Sequence, residues 1–500
     1  MTEDTIGSSS CAHGDPAAHG PLPRRVAWPI VFELAAVAAA IGAQLALFTR
    51  AIESGTSYDE GTYLASLDDL RAGQDLGTEV FAAQPPGFYL GLRLAALAFG
   101  NSVEGVRVGV LIAFVVGAVG VYLLARSLSG RLGGLLAVAL VGVAPPVPLF
   151  AVRVLADLPS LGVMFLGLGV GSLAPVDRRW RTATAFAAGG LLAVAMFVKP
   201  TAAVGIVPLA ILLSRQSDRR RAWGLAIGGM AITTIVFLAG HLGQLHALWK
   251  TVVVYRRRAA AQPSLLSHRD LLEQVLNPHA AFTWLVVLAV IAAAGVAVRM
   301  RSLRPLAPVA APASLLVLAA VAIETYRPLH ANHVVLLSEA LVVVVATTIG
   351  SVSSVLGRRP ATALTLVATV LVLGAYLQAR ARIDSEYPPE NPALVALAGR
   401  LAAVTEPGSL VVSDQPIVAY LASRETPGNL VDIADLRFLT GTLSNEELLR
   451  EIDERCIRAV VIGRALSYRP ELIRDVDSRF RSREQMGAGT LFWGPLRPCG

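Results

Sequence analysis

Between Val26 and Leu377 the chain is a succession of apolar runs, each close to the roughly 20 residues that a helix needs to cross a bilayer, separated by short polar stretches that are alternately rich and poor in arginine. Arginines on every second connection are the mark of a chain that threads a membrane repeatedly, because cytoplasmic loops retain basic residues. Charged residues make up only 16% of the chain, against about 25% in soluble domains. The net charge of +7 is therefore a topology signal and not a nucleic-acid footprint. The expected fold is an all-α polytopic membrane protein of about eleven transmembrane helices with a small α/β domain at its C-terminal end.

Residues 1–25 are rich in Gly, Ser, Pro and His and read as a disordered tail. Arg24 and Arg25 then put the start of the first run, Val26 to Phe48, in the cytoplasm. A long outside loop follows, over 51–103. In it Gly61 to Arg71 reads as an amphipathic helix, with Tyr63, Leu64, Leu67 and Leu70 on one face and Asp68 and Asp69 on its wet side. Phe88 to Phe99 is apolar but too short to span, and both pieces suit helices lying in the interface. The next spans are expected at about Val106–Leu124, Leu132–Phe150 and Leu158–Leu173. The stretch Ala183–Leu213 has basic clusters at both ends, so it is read as two short helices with a turn at Lys199-Pro200. A seventh span leads to a second outside loop, His241 to Pro278, carrying Lys250, Tyr255, Arg256-Arg257-Arg258 and His268; the arginine run reads as solvated or bound to lipid headgroups. Four more spans bring the chain to about residue 379, which closes a transmembrane domain over 26–379.

Residues 380–500 read as a separate extracytoplasmic domain. Asn391-Pro392 opens a helix to about Val404, Ser444-x-x-Glu447 opens another, and Leu410–Ser413, Val460–Ile462 and Thr490–Trp493 read as strands of a partly parallel sheet. No glycine-rich phosphate loop follows any strand. Cys11, Cys456 and Cys499 form no CxxC pair, so zinc and redox chemistry lack support; a disulfide between Cys456 and Cys499 is left open.

Asp59, Glu60, Gln84, Arg153, Asp157, Lys199, Arg327, His330 and His333 all fall at one level on the outer side. Ionisable groups at the edge of hydrocarbon are costly to keep there and usually functional. A carboxylate can act as general base toward an attacking hydroxyl or amine, and cations can stabilise a departing phosphate. Together they suit transfer from a lipid-linked phosphate donor at the bilayer edge. Blander roles stand beside this one. Asp157 suits the N-terminus of the fourth helix, Lys199 could snorkel to the interface, and His330 and His333 share a helical face with no third metal ligand evident.

Four segments carry a resemblance: Tyr58-Asp59-Glu60-Gly61-Thr62-Tyr63, Gln84-Pro85-Pro86-Gly87-Phe88-Tyr89, Ala156-Asp157-Leu158-Pro159 and Phe197-Val198-Lys199-Pro200-Thr201, with His330-Ala331-Asn332-His333 a looser match. In this order the chain resembles the GT-C membrane glycosyltransferases, in the branch of the protein O-mannosyltransferases and the lipid A aminoarabinose transferases, over roughly residues 26 to 350. The resemblance implies a polyprenyl-phosphate-linked sugar donor, an extracytoplasmic acceptor and inversion at the anomeric centre. It implies Asp59 as catalytic base, Asp157 as a second carboxylate orienting acceptor or sugar, and Glu60 and Tyr63 lining the same site. Gln84 stands where many relatives have a basic residue, which leaves Lys199, Arg153 or Arg327 to hold the phosphate, with His330 and His333 as further contacts. No resident cofactor is implied, and a divalent cation is neither demanded nor excluded. The competing readings are a flippase of lipid-linked sugars, which requires pseudo-symmetric halves, and a non-catalytic scaffold, which requires Asp59 and Asp157 to lie far apart.

Overall fold

The computed structural model describes residues 27–173, 178–262, 267, 269–270, 273 and 279–497. The expected N-terminal tail, His268 and Cys499 lie outside the described residues; Cys456 is disulfide-bonded. Helix α1 (Ala27–Phe48) is followed by α2 (Tyr58–Arg71) and α3 (Pro86–Phe99) in the first long loop. Next comes α4 (Val103–Val141), which departs from helical geometry at Ser129 and Gly130, the latter at φ 80°. A Cβ on Gly134 would lie 3.0 Å from the Tyr122 ring, although a straight helix would separate these positions by about 18 Å. The chain thus doubles back at Ser129-Gly130, and α4 is two antiparallel arms corresponding to the expected second and third spans. The second arm stops at Val141 and not at Phe150, because Gly142 and the Pro145-Pro146 pair cannot continue it; a single turn, α5 (Val147–Phe150), follows.

Beyond it come α6 (Asp157–Ser172), α7 (Arg178–Val198), a 3-10 turn at Pro200–Gly205, and α8 (Ile206–Ser214). Gly171 packs against both Ala188 and Leu209, which lie on either side of Lys199, so α7 and α8 form the expected hairpin. Then follow α9 (Arg219–Ala239), two short helices, α10 (Leu245–Leu248) and α11 (Tyr255–Ala260), and the long α12 (Ala280–Met300), α13 (Ala310–Thr325), α14 (Val334–Val355) and α15 (Arg358–Glu386). Among the described residues eight helices, α4 counted once, are long and apolar enough to cross a membrane, and α6 and α8 are shorter apolar helices. The chain is a multi-pass membrane protein. At one end of the bundle Arg126 and Arg131 both pair with Glu33 of α1, at 2.5 and 3.0 Å; α2, Asp157 and Lys199 are at the other.

The C-terminal part holds α16 (Pro392–Val404), β1 (Val411–Ser413), α17 (Pro416–Leu421), α18 (Asp435–Leu439), α19 (Asn445–Glu454), β2 (Ala459–Ile462), α20 (Pro470–Asp477), β3 (Phe480–Met486) and β4 (Gly489–Pro495). The sheet order is β1-β2-β4-β3, with β1 and β2 parallel and the other pairs antiparallel. Successive strand residues face opposite ways. Val412, Val460 and Phe492 meet Leu448 and Leu472 on one face, while Val411, Val461 and Leu491 meet Leu397 and Val418 on the other. Asn391 caps α16 and Ser444 caps α19, as expected.

This domain is seated directly on α2. A Cβ on Gly61 would lie 2.7 Å from the Ile417 backbone nitrogen, so only glycine admits the approach. The Tyr420 hydroxyl donates to the Asn101 carbonyl at 2.6 Å, the Phe81 N–H to the Gly428 carbonyl at 2.8 Å, and the Arg437 guanidinium covers the Phe81 ring at 4.0 Å. One expectation is corrected by this seating. Asp68 is exposed as expected, but α2 does not present a wet acidic side as a whole, since its residues from Glu60 to Leu67 are buried and Asp69 is only 4% exposed. Burial, helped by Asp68 and Glu425, pushes the Asp69 carboxyl up to about 8. The roof formed by the C-terminal domain removed the solvent that the amphipathic pattern anticipated.

Candidate active site

Ser57 starts α2 with a reciprocal cap: its hydroxyl accepts from the Glu60 N–H, and the Ser57 N–H donates to the Glu60 carboxylate at 2.9 Å. This fixes Asp59 in the first turn. Glu60 points inward, fully buried. It accepts from Arg107 Nε at 2.9 Å and Nη2 at 3.1 Å, from Arg153 Nη1 at 2.9 Å and from the Val154 N–H at 3.0 Å. Burial alone would raise its carboxyl; the Arg107 and Arg153 charges and hydrogen bonds outweigh that and hold it below the usual carboxylate range. With this many donors the carboxylate is spent on architecture. It does not open to the cleft, contrary to the expectation that it lines the site. Arg153 is committed as well, to Glu60, to the Gly55 carbonyl at 2.5 Å and to the Tyr387 ring at 4.9 Å, which removes it from the candidates for phosphate binding.

Arg107, which sequence reasoning passed over, is the keystone of this cluster. It is wholly buried, and its remaining N–H groups go to the carbonyls of Ile52 at 2.6 Å, Ser54 at 2.7 Å and Gly55 at 3.2 Å. The available signal was a lone arginine just inside an apolar run.

Asp59 is exposed at the start of α2, within electrostatic reach of Asp432 and Arg464 of the C-terminal domain. Protein packed around it raises its carboxyl; Asp432 adds to the rise, and Arg256, Arg464 and Lys199 oppose it. Lys199 therefore lies close enough for its charge to be felt at Asp59. It is itself buried, with Nζ 2.6 Å from Asp157 Oδ1. The other Asp157 oxygen accepts from Asn332 Nδ2 at 2.8 Å. Asn332, not His330 or His333, is thus the residue of its segment that reaches the second carboxylate. A pocket beside Asp157 is lined by Leu161, Thr201, Ile323, Tyr326, His333 and Leu336.

His333 is buried; its Nδ1 accepts from the His330 N–H at 3.2 Å, and its ring lies 4.2 Å from that of Tyr326. His330 is exposed and is held below its ordinary value by the surrounding protein, then by Arg256 and Lys199. Arg327 turns Nη1 back to the carbonyls of Glu324 and Tyr326, both at 3.2 Å. Tyr63 and Gln84 are buried beneath Asp59, with Gln84 Nε2 donating to the Tyr63 hydroxyl at 2.8 Å. Among the described residues no group of three His, Cys, Asp or Glu side chains is placed to hold a metal ion.

Arg256 corrects a further expectation. It is not part of a solvated run: it donates to the Ala83 carbonyl at 2.8 Å, and its charge acts on Asp59, Tyr63 and His330. The C-terminal domain also contributes to the site. The Tyr58 hydroxyl donates to Asp432 Oδ1 at 3.0 Å, and the Arg464 guanidinium stacks on the Tyr58 ring at 4.2 Å.

The sequence profile of the dolichyl-phosphate-mannose-protein mannosyltransferase family matches residues 83–242. No curated protein matches the chain by sequence. Among solved structures, ArnT from Cupriavidus metallidurans, crystallised with undecaprenyl phosphate, is similar with a TM-score of 0.65 and 14% identity, over 94% of this chain and 99% of that one. The apo oligosaccharyltransferase of Archaeoglobus fulgidus gives a TM-score of 0.53 at 11% identity, over 87% of this chain and 70% of that one. The mycobacterial arabinofuranosyltransferase AftD gives 0.53 at 14% identity, over 96% of this chain and 40% of that one. On this evidence the chain has the GT-C fold of the membrane glycosyltransferases and resembles their protein-mannosyltransferase and aminoarabinose-transferase branch.

Proposed function

We propose that this protein transfers a sugar from a polyprenyl-phosphate carrier to a hydroxyl or amine acceptor on the extracytoplasmic side of the membrane. The observation that carries the reading is the convergence of Asp59, the Asp157–Lys199–Asn332 group, His330 and Arg256 at one end of the bundle, beneath a soluble domain. A scaffold without activity would have no reason to gather them. The arginine-rich connections support the orientation: Arg126 and Arg131, Arg219 to Arg221, and Arg299 to Arg304 belong to ends away from Lys199, as cytoplasmic loops do.

In the proposed reaction the acceptor attacks the anomeric carbon directly. The bond from that carbon to the phosphate oxygen breaks with inversion, the acceptor proton passes to Asp59, and the polyprenyl phosphate leaves with the electron pair. Asp59 suits the task because its raised carboxyl is a better proton acceptor than an ordinary aspartate. Arg256 is the cation best disposed toward the departing phosphate. Lys199 holds Asp157, and Asp157 with Asn332 orients the sugar or acceptor. Tyr63 and Gln84 support the floor of the site.

The test is transfer by the purified protein in liposomes, using a panel of polyprenyl-phosphate sugars, beside the Asp59→Asn variant. Transfer by the wild type with a loss of at least about a hundredfold in the variant is expected. Equal rates would remove Asp59 from the chemistry.

A further inference from the structure

Around Asp59 the basic groups differ in what they are free to do. Lys199 is held by Asp157, Arg107 and Arg153 by Glu60, and Arg437 by the carbonyls of Asn429, Asp432 and Thr442. Arg464 is different. Among the described residues its guanidinium makes no hydrogen bond and no ion pair; its contact is the stacked Tyr58 ring, and the residue is exposed. Its backbone, by contrast, is firmly anchored. Asp414, wholly buried, accepts from the N–H groups of Gly463 at 2.7 Å, Arg464 at 2.8 Å and Leu466 at 2.9 Å. A fixed turn thus holds a planar cation against an aromatic face, exposed and with its donors unspent among the described residues.

The position of Arg464 relative to Arg256 adds meaning. Both charges act on Asp59, but Arg256 comes from the membrane domain and also acts on His330, on the side of α14, whereas Arg464 comes from the C-terminal domain and covers Tyr58. Asp59 is within electrostatic reach of both guanidiniums. In a displacement with inversion the donor phosphate and the acceptor lie on opposite sides of the reacting carbon. The acceptor must bring its hydroxyl to the base, and with Arg256 assigned to the leaving phosphate, Arg464, over the ring of Tyr58 next to Asp59, is left to meet the acceptor.

We propose that Arg464 is a specificity-determining residue that binds an anionic group, phosphate or carboxylate, carried by the acceptor near its attacking hydroxyl. The proposal rests on the reading of the cleft as a glycosyl-transfer site. A guanidinium grips such a group through paired charge-assisted hydrogen bonds, and Asp432, hydrogen-bonded to Tyr58, keeps the stacking partner in place.

The experiment is a calorimetric titration of the full-length protein in nanodiscs with three probes: hexyl glucoside 6-phosphate, hexyl glucuronide and neutral hexyl glucoside. The wild type is expected to bind at least one anionic probe about tenfold or more tightly than the neutral one. The stronger of the two identifies phosphate or carboxylate as the recognised group. Arg464→Met should bring the anionic probes to the neutral probe's level, and Arg464→Lys should retain part of the preference. Thermal unfolding of each variant reports whether it folds. Equal binding of the three probes by the wild type overturns the proposal. So does a preference that survives in Arg464→Met, or a parallel loss for all three probes, which would mark Arg464 as packing for Tyr58 alone. The titration needs no turnover, so failure of sugar transfer and failure of anion recognition are read separately.

Discussion

Arg107→Met tests how the site is held together. Methionine fills much of the volume of the arginine stem but donates nothing, so all five guanidinium N–H groups are lost. Glu60 keeps Arg153, the Ser57 N–H and the Val154 N–H, while the carbonyls of Ile52 and Ser54 lose the donor that Arg107 supplied. Breaking a buried ion pair by removing one partner costs about 3–5 kcal/mol, and each stranded carbonyl adds about 1 kcal/mol or more. Because Glu60 can still lean on Arg153 or take a proton, about 4 kcal/mol is the expected total. That corresponds to a fall on the order of 10 °C in the unfolding midpoint of a large domain. The assay is thermal unfolding of the full chain in detergent at one scan rate, with the variant compared to the wild type at pH 5 and pH 8.

The dependence on pH carries the sharper test. In the wild type the Glu60 carboxyl sits below its usual range, so its stabilising contribution is present above the unfolded value and lost only as pH falls through the lower folded value. Without Arg107, burial dominates and lifts the carboxyl. The folded state then binds more protons than the unfolded one, and stability declines as pH rises. The deficit of the variant should therefore be larger at pH 8 than at pH 5, and adding Glu60→Gln should shrink it at pH 8. A deficit under about 1 kcal/mol, or one that is the same at both pH values, would refute the account of Arg107 as the clamp of the Gly55–Glu60 segment.

Transfer should fall on the acid side as Asp59 takes up a proton, with the midpoint of the limb above the range of an ordinary carboxylate, since the carboxyl is raised; a pH–rate profile at saturating donor reads this, and Asp59→Asn should abolish the limb along with the activity. Lys199→Met leaves Asp157 buried with only Asn332 as partner, and should cost about 3 kcal/mol in thermal unfolding, whereas pairing it with Asp157→Leu should recover part of the loss. Gly61→Ala forces a methyl to within 2.7 Å of the Ile417 nitrogen; a cost of about 1–3 kcal/mol and faster proteolysis in the 387–391 link are expected, the latter read by gel.

The spans were legible because a bilayer imposes one length on every helix and the arginines mark alternate ends, and the Lys199 hairpin followed from that parity alone. Asp59, Asp157 and Lys199 could be picked out because charge at the edge of hydrocarbon is rare. Arg107 was hidden for the opposite reason: in the second turn of a capped helix, three residues after Glu104, it passes for an ordinary boundary residue. Arg256 was lost in a run of three arginines, of which the other two stay exposed. The wet face assigned to α2 holds at Asp68 and fails at Asp69, because periodicity reports which side is polar and not what covers it. Asp432 and Arg464 reach Tyr58 across some 370 and 400 positions of chain, and only tertiary packing brings such partners together.

The stacking of Arg464 on Tyr58, with Asp432 holding the phenol, makes the soluble tail a poor candidate for a plug-in part. A chimera that grafts the tail of a relative onto this membrane half would inherit a folded sheet and still misset the neighbours of its own Asp59, unless the three residues came from the same parent. Domain exchange between such enzymes is therefore expected to respect that triple, and the junction of choice lies upstream of residue 58 and not at the visible boundary between membrane and soluble halves.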